Sequence, residues 1–151
     1  MRAVIFDVEN SSRAEYVDRL LTYLDLRQCD GQTRLIAIGN WTVVSHETAR
    51  LLAAFGADLI HSAPAFGVKD WTDLRIGVAA GVWLGDARPG DVLEIITDDQ
   101  AFDAVGDVAA GLGVTFRRLS YRALVATETI QPAAPAARRR RSRGKTGRRR
   151  R

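Results

Sequence analysis

Val92-Leu93-Glu94-Ile95-Ile96-Thr97-Asp98-Asp99 is the stretch from which the fold can be read. A nearly continuous apolar run of this length is a strand buried on both faces, as in a parallel sheet covered by helices. Two aspartates follow at once, at the strand end where such sheets place their ligands. Val4-Ile5-Phe6-Asp7 repeats the design near the start of the chain: a short apolar run that stops on an acid. Placing these two strands side by side brings Asp7 next to the Thr97-Asp98-Asp99 cluster, which predicts the strand order 3-2-1-4-5.

The remaining elements fill in around this pair. Ser12-Arg13-Ala14-Glu15 fits a capping box, and Tyr16, Val17, Leu20, Leu21 and Leu24 recur at helical spacing. Leu35–Gly39 reads as the second strand. Ser45 caps a helix through Ala54, with Gly56 just past its end. Ala57–His61 is a weaker third strand, and Asp70 caps a long helix to about Leu84. A further helix runs from about Gln100 to Leu112, with Gly113 as its stop, and Val114–Arg118 is the fifth strand. Strands alternating with helices give an α/β three-layer sandwich with a parallel sheet, and right-handed crossovers leave few other topologies.

The chain has 151 residues, of which 46% are hydrophobic, enough for one domain with a sizeable core. No apolar run approaches the roughly 20 residues that span a bilayer. Met-Arg-Ala-Val-Ile-Phe-Asp does not read as a signal peptide, so the expected location is cytoplasmic and no membrane partner is expected. One cysteine, Cys29, excludes an internal disulfide and a Cys-rich zinc site. The net charge of +4 hides a division: residues 1–137 carry all 18 acids against 12 basic residues, while residues 138–151 carry ten basic residues and no acid. The body is therefore at −6 and the tail at +10. The expected organisation is a folded domain over 1–126, a Pro/Ala-rich linker over 127–137 and a disordered basic tail over 138–151. Arg138, Arg139, Arg140, Arg141, Arg143, Lys145, Arg148, Arg149, Arg150 and Arg151 form a sequence-independent phosphate-binding arm. A localisation patch or a membrane-surface patch would share that composition.

Four acids fall where the fold would gather them: Asp7 after strand 1, Asp73 in the first turn of the long helix, Asp99 after strand 4, and Asp103 four residues later. Clustered carboxylates raise one another's pKa unless a counter-charge is present. A hard divalent cation with oxygen ligands, Mg²⁺ or Mn²⁺, resolves the repulsion, and such a site activates water against a phosphodiester. Each aspartate also has a plain reading as a cap or turn residue, Asp70 most clearly. Trp41 and Trp71 border the expected mouth and could stack on an unpaired base. Core packing is favoured for Trp71, while Trp41 is open between stacking and covering the sheet edge. Lys69 is placed to meet a phosphate or to stay solvated. Gly77, Gly81 and Gly85, four residues apart, read as close packing of the helix on the sheet, with a second helix in a homodimer as the alternative. His46 and His61 have no metal-ligand spacing and read as polar surface residues.

Phe6-Asp7-Val8-Glu9-Asn10 resembles the opening Asp-x-Glu-Asn motif of NYN-type and related PIN-like nuclease domains. Lys69-Asp70-Trp71-Thr72-Asp73-Leu74 is similar to the family's second segment, and Ile96-Thr97-Asp98-Asp99-Gln100-Ala101-Phe102-Asp103 to its third. The three motifs stand in order across residues 2–122. The resemblance implies a PIN-like (Rossmann-like) fold and a Mg²⁺- or Mn²⁺-dependent ribonuclease acting on RNA. Asp7, Asp73, Asp99 and Asp103 would be its metal ligands. Asn10 would orient Asp7 or a phosphate, and Thr97 would support the loop. Thr97 stands where Ser is more usual, and Ala101 where some subfamilies carry another acid. A catalytically inactive RNA-binding protein is the alternative. A receiver-like phosphoacceptor would want a lysine where strand 5 has Arg117 and Arg118, and a dehalogenase-like phosphatase would need Asp-x-Asp in place of Asp7-Val8-Glu9.

Overall fold

The computed structural model describes residues 1–9, 13–26, 31–64 and 68–123. The expected linker and tail, Cys29, Asn10 and Ser12 lie outside these. In chain order the elements are β1 (Arg2–Asp7), α1 (Ala14–Tyr23), β2 (Thr33–Gly39), α2 (His46–Ala54), β3 (Asp58–His61), α3 (Trp71–Asp86), β4 (Val92–Ile96), a 3₁₀ turn (Gln100–Phe102), α4 (Asp103–Gly111) and β5 (Thr115–Leu119). The sheet is parallel throughout, in the order β3-β2-β1-β4-β5 expected from the two acid-terminated runs.

Alternation along β1 builds two cores. Val4 and Phe6 pack with Val17, Leu20, Leu21 and Leu52 under α1 and α2. Ala3 and Ile5 pack with Ile76, Ala80, Trp83, Leu93 and Ile95 under α3 and α4. Every residue of β1 after Arg2 is buried, which is why the run is continuous rather than alternating. Glu94 interrupts the β4 run yet is only 1% exposed. Arg2 resolves it, with Nε 2.8 Å from Oε2 and a second nitrogen at 2.7 Å, while Arg117 stands 3.5 Å from Oε1.

Helix ends follow the sequence signals unevenly. The Ser45 hydroxyl accepts the Thr48 amide as expected of an N-cap. Gly56 and Gly113 take the positive φ values, +77° and +70°, that suit glycine at helix ends. The N-cap of α1 is Arg13, one residue after the Ser12 of the expected capping box, and it makes no side-chain cap bond. Gln100–Leu112 is not one helix either. Its first turn is 3₁₀, because the Asp99 carboxylate ties down the Ala101 amide before the α-helix begins. Gly77, Gly81 and Gly85 do not pack against the sheet, since a Cβ at any of them would meet nothing within 4 Å. The residues that do face the sheet on α3 are Thr72, Ile76, Ala80, Trp83 and Leu84.

Candidate functional site

The register places Phe6 of β1 level with Ile96 of β4, so Asp7 and Thr97 end their strands side by side. This is where the connections run to opposite sides of the sheet, the crevice that open parallel sheets offer to ligands. Asp7 is 1% exposed and Thr97 fully buried. The Thr97 hydroxyl donates to Asp7 Oδ2 at 3.0 Å and accepts the Asp99 amide at 3.2 Å. One threonine thus locks the Asp7 carboxylate and the loop carrying Asp99 into a single unit.

The next strand contributes through close approach. A Cβ on Gly39 would stand 2.2 Å from Val8 Cγ2, so glycine alone lets the end of β2 lie against the turn after β1. The contact brings the Asn40 amide within 3.0 Å of Glu9 Oε1. The same oxygen accepts the Thr72 hydroxyl at 3.0 Å, which joins the turn after β1 to the first turn of α3. Asp7, Glu9, Asp70, Trp71, Thr72 and Asp73 line a cleft of about 230 Å³.

Asp73 shows the electrostatic character of this cleft. Burial is the main cause holding its carboxyl above the usual aspartate range, followed by the charges of Asp7, Asp99, Asp70 and Glu9. Asp73 has no ion-pair partner among the described residues. Like charges around a partly desolvated carboxyl favour the protonated form, so anything cationic in the cleft is favoured electrostatically.

The expected site residues divide. Asp7, Asp73, Asp99 and Thr97 come together. Asp103 is engaged from the other side: Arg118 of β5 donates to its Oδ1 at 2.7 Å. Asp98 is engaged similarly, by Arg122 at 3.1 Å and by the Ser120 hydroxyl. Asp70 sits at the N-cap of α3, but in left-handed backbone (φ +57°) and with no side-chain cap bond, so the plain capping role assigned to it does not hold. Its side chain lines the cleft instead.

Trp71 is 39% exposed at the rim rather than packed in the core, because Thr72 and Ile76 occupy the sheet-facing positions of that turn. Trp41 is half-buried, and its indole N–H donates to the Ile60 carbonyl at 2.9 Å, closing the edge strand. Lys69 is exposed beside the cleft. His61 accepts the Trp41 amide through Nδ1, and it remains a surface residue. Glu9 and Asp70 are the two cleft acids that the sequence reading did not select. The signal for Glu9 was present, since it is the acid of Asp7-Val8-Glu9-Asn10.

The donors facing the cleft are carboxylates and hydroxyls, the chemistry of a hard divalent cation. No group of three or more His, Cys, Asp or Glu closes into a ready-made cluster among the described residues. Mg²⁺ is satisfied by one or two carboxylates with water completing its shell, so the donor set fits it without such a cage. No helix among the described residues is long and apolar enough to cross a membrane. No protein-family model matches the chain, and no curated protein matches it.

Proposed function

We propose that this chain is a metal-dependent ribonuclease of the NYN/PIN-like type, with its site at the cleft lined by Asp7 and Asp73 and bordered by the Asp99 loop. The observation that carries the reading is the placing of Asp73, partly buried among four neighbouring acids that hold its carboxyl above the usual range, with no ion-pair partner among the described residues. Asp7, Asp73 and Asp99 would hold Mg²⁺ or Mn²⁺. When bound, the ion supplies Lewis acidity for attack of water on a phosphodiester and neutralises the charge that develops there. The chain's own groups do the positioning. Thr97 holds the Asp7 carboxylate at one angle and fixes the amide of Asp99. Glu9, bonded to Asn40 and Thr72, keeps the first turn of α3 against the end of β1. Lys69 and Trp71 stand at the rim, where a phosphate and an unpaired base would arrive.

A body at −6 repels RNA, and the ten basic residues of 138–151 offset this. Counterion release gives such an arm a single-strand salt slope of about −0.7 per phosphate neutralised. A second reading, an RNA-binding protein without catalysis, draws on the Asp103–Arg118 bond, which removes one of the four expected ligands.

Incubation of the full chain with mixed RNAs and DNAs in Mg²⁺, Mn²⁺ or EDTA tests the proposal. Metal-dependent RNA cleavage that Asp99→Asn removes is the expected result. Equal turnover by wild type and Asp99→Asn would overturn the site. RNA binding with no cleavage in any metal would leave the second reading.

A further inference from the structure

Helix α3 has apolar residues on all sides, and the sheet takes only one of them. Leu74, Val78 and Val82 are 65%, 56% and 67% exposed, and their spacing of four places them on one outward stripe. A run of large apolar side chains over three successive turns is not the scatter of single exposed residues found on any surface. Beside the stripe lies a groove of about 480 Å³, floored by Ile36 and Ile60 and walled by the helix. It exists because α3 packs on β1 and β2, leaving the edge strand β3 uncovered on this face.

The stripe is charged at its ends with opposite signs. Arg75 lies near the start of α3 and Asp86 at its last residue, both exposed and neither ion-paired among the described residues. A surface with an unpaired cation at one end and an unpaired anion at the other complements itself when reversed. That is the requirement of a two-fold interface, in which each contact occurs twice.

We propose that the outward face of α3 is the interface of a homodimer, with the two α3 helices packed antiparallel about the level of Ala80. In this register Val78 lies level with the partner's Val82, and Arg75 reaches the partner's Asp86, each contact being made twice. Gly81 falls close to the axis and Gly85 opposite the partner's Leu74. Both have open space where a Cβ would stand, so the backbones approach without a clash. The antiparallel arrangement also opposes the two helix dipoles. At 1.5 Å per residue the two Asp73 positions would lie about 21 Å apart along the helix direction.

Sedimentation equilibrium of the full chain, freed of nucleic acid, tests the interface and does not depend on whether the chain cleaves RNA. The expected mass at tens of micromolar is twice 16.6 kDa. Val78→Glu, at an exposed position, should return one chain's mass with the circular dichroism of the wild type. Arg75→Asp and Asp86→Arg should each weaken association at least tenfold, and the double variant, with the charges exchanged, should recover most of it. A wild type that stays at one chain's mass would overturn the proposal and leave the face to a different occupant. So would a dimer that survives Val78→Glu, or a double variant no tighter than the single ones.

Discussion

Asp73 and Asp103 both begin a helix at the carboxyl edge of the same sheet, yet their surroundings are opposed. Asp103 is 61% exposed by side chain and bonded to Arg118, and its neighbour Asp98 is bonded to Arg122. Asp73 is partly buried, faces other carboxylates and has no cation beside it among the described residues. Deep in the sheet, Glu94 shows how the same chain treats a buried acid that serves the fold: it is clamped by Arg2 from the adjacent strand. Acids with a structural duty are paired here. Asp73 is left in repulsion with the carboxylates near it, a cost that favours binding a cation.

The largest stability effect should come from unpairing Glu94. Arg2→Ala leaves a buried carboxylate with only the distant Arg117, and breaking such a pair costs about 3 kcal/mol. Urea titration of the variant reads this directly, and an unchanged midpoint would show that the Arg2–Glu94 pair contributes nothing to stability.

Next is the response to metal. An ion that binds the folded site and not the unfolded chain stabilises by about 2.7 kcal/mol at one hundred times its Kd. Thermal melts with EDTA and with Mn²⁺ should show a rise for the wild type. Asp73→Asn should lose most of that rise. Asp103→Asn should retain it and lose no more than about 1 kcal/mol of stability in either buffer, as befits an exposed ion pair. A full metal response in Asp73→Asn together with none in Asp103→Asn would reverse the assignment of the two acids.

The smallest effect is the pH dependence of Asp73 in the absence of metal. The folded state raises its pKa above that of the unfolded chain, so its favourable contribution is complete below about pH 4, the unfolded value. It is lost as pH rises through the folded value. In EDTA, Asp73→Asn should therefore match the wild type in acid and exceed it at neutral pH. A variant less stable than wild type at neutral pH would mean that the Asp73 carboxylate is held by a favourable contact.

Strand order, the layers and most helix limits were legible in the chain because apolar continuity and helical spacing are local properties. Val4–Phe6 and Val92–Ile96, each buried on two faces, leave a parallel central pair as the economical solution, and the acids that follow them had to meet. The same local signals misled where two outcomes share a pattern. Three glycines at intervals of four suit packing against a sheet or facing away from it, and α3 turns them outward. Trp71 precedes a residue that faces the core, and one helical position, about 100° of rotation, separates burial from the rim.

Whether Asp73 or Asp103 gains an ion pair among the described residues was decided only by the assembled fold. Asp73 and Asp103 look alike along the chain, but Arg118 arrives beside Asp103 from β5, a strand that pairs with β4 on the side of the sheet away from β2. Glu9 likewise acquires its place from Gly39, whose missing side chain admits the turn after β1. Ion pairing and close approach depend on distances between residues far apart in sequence, and these exist only once the strands have been brought into register. The chain alone announces an acidic edge on a parallel sheet; packing selects the acids that share the cleft and those that are tied to arginine.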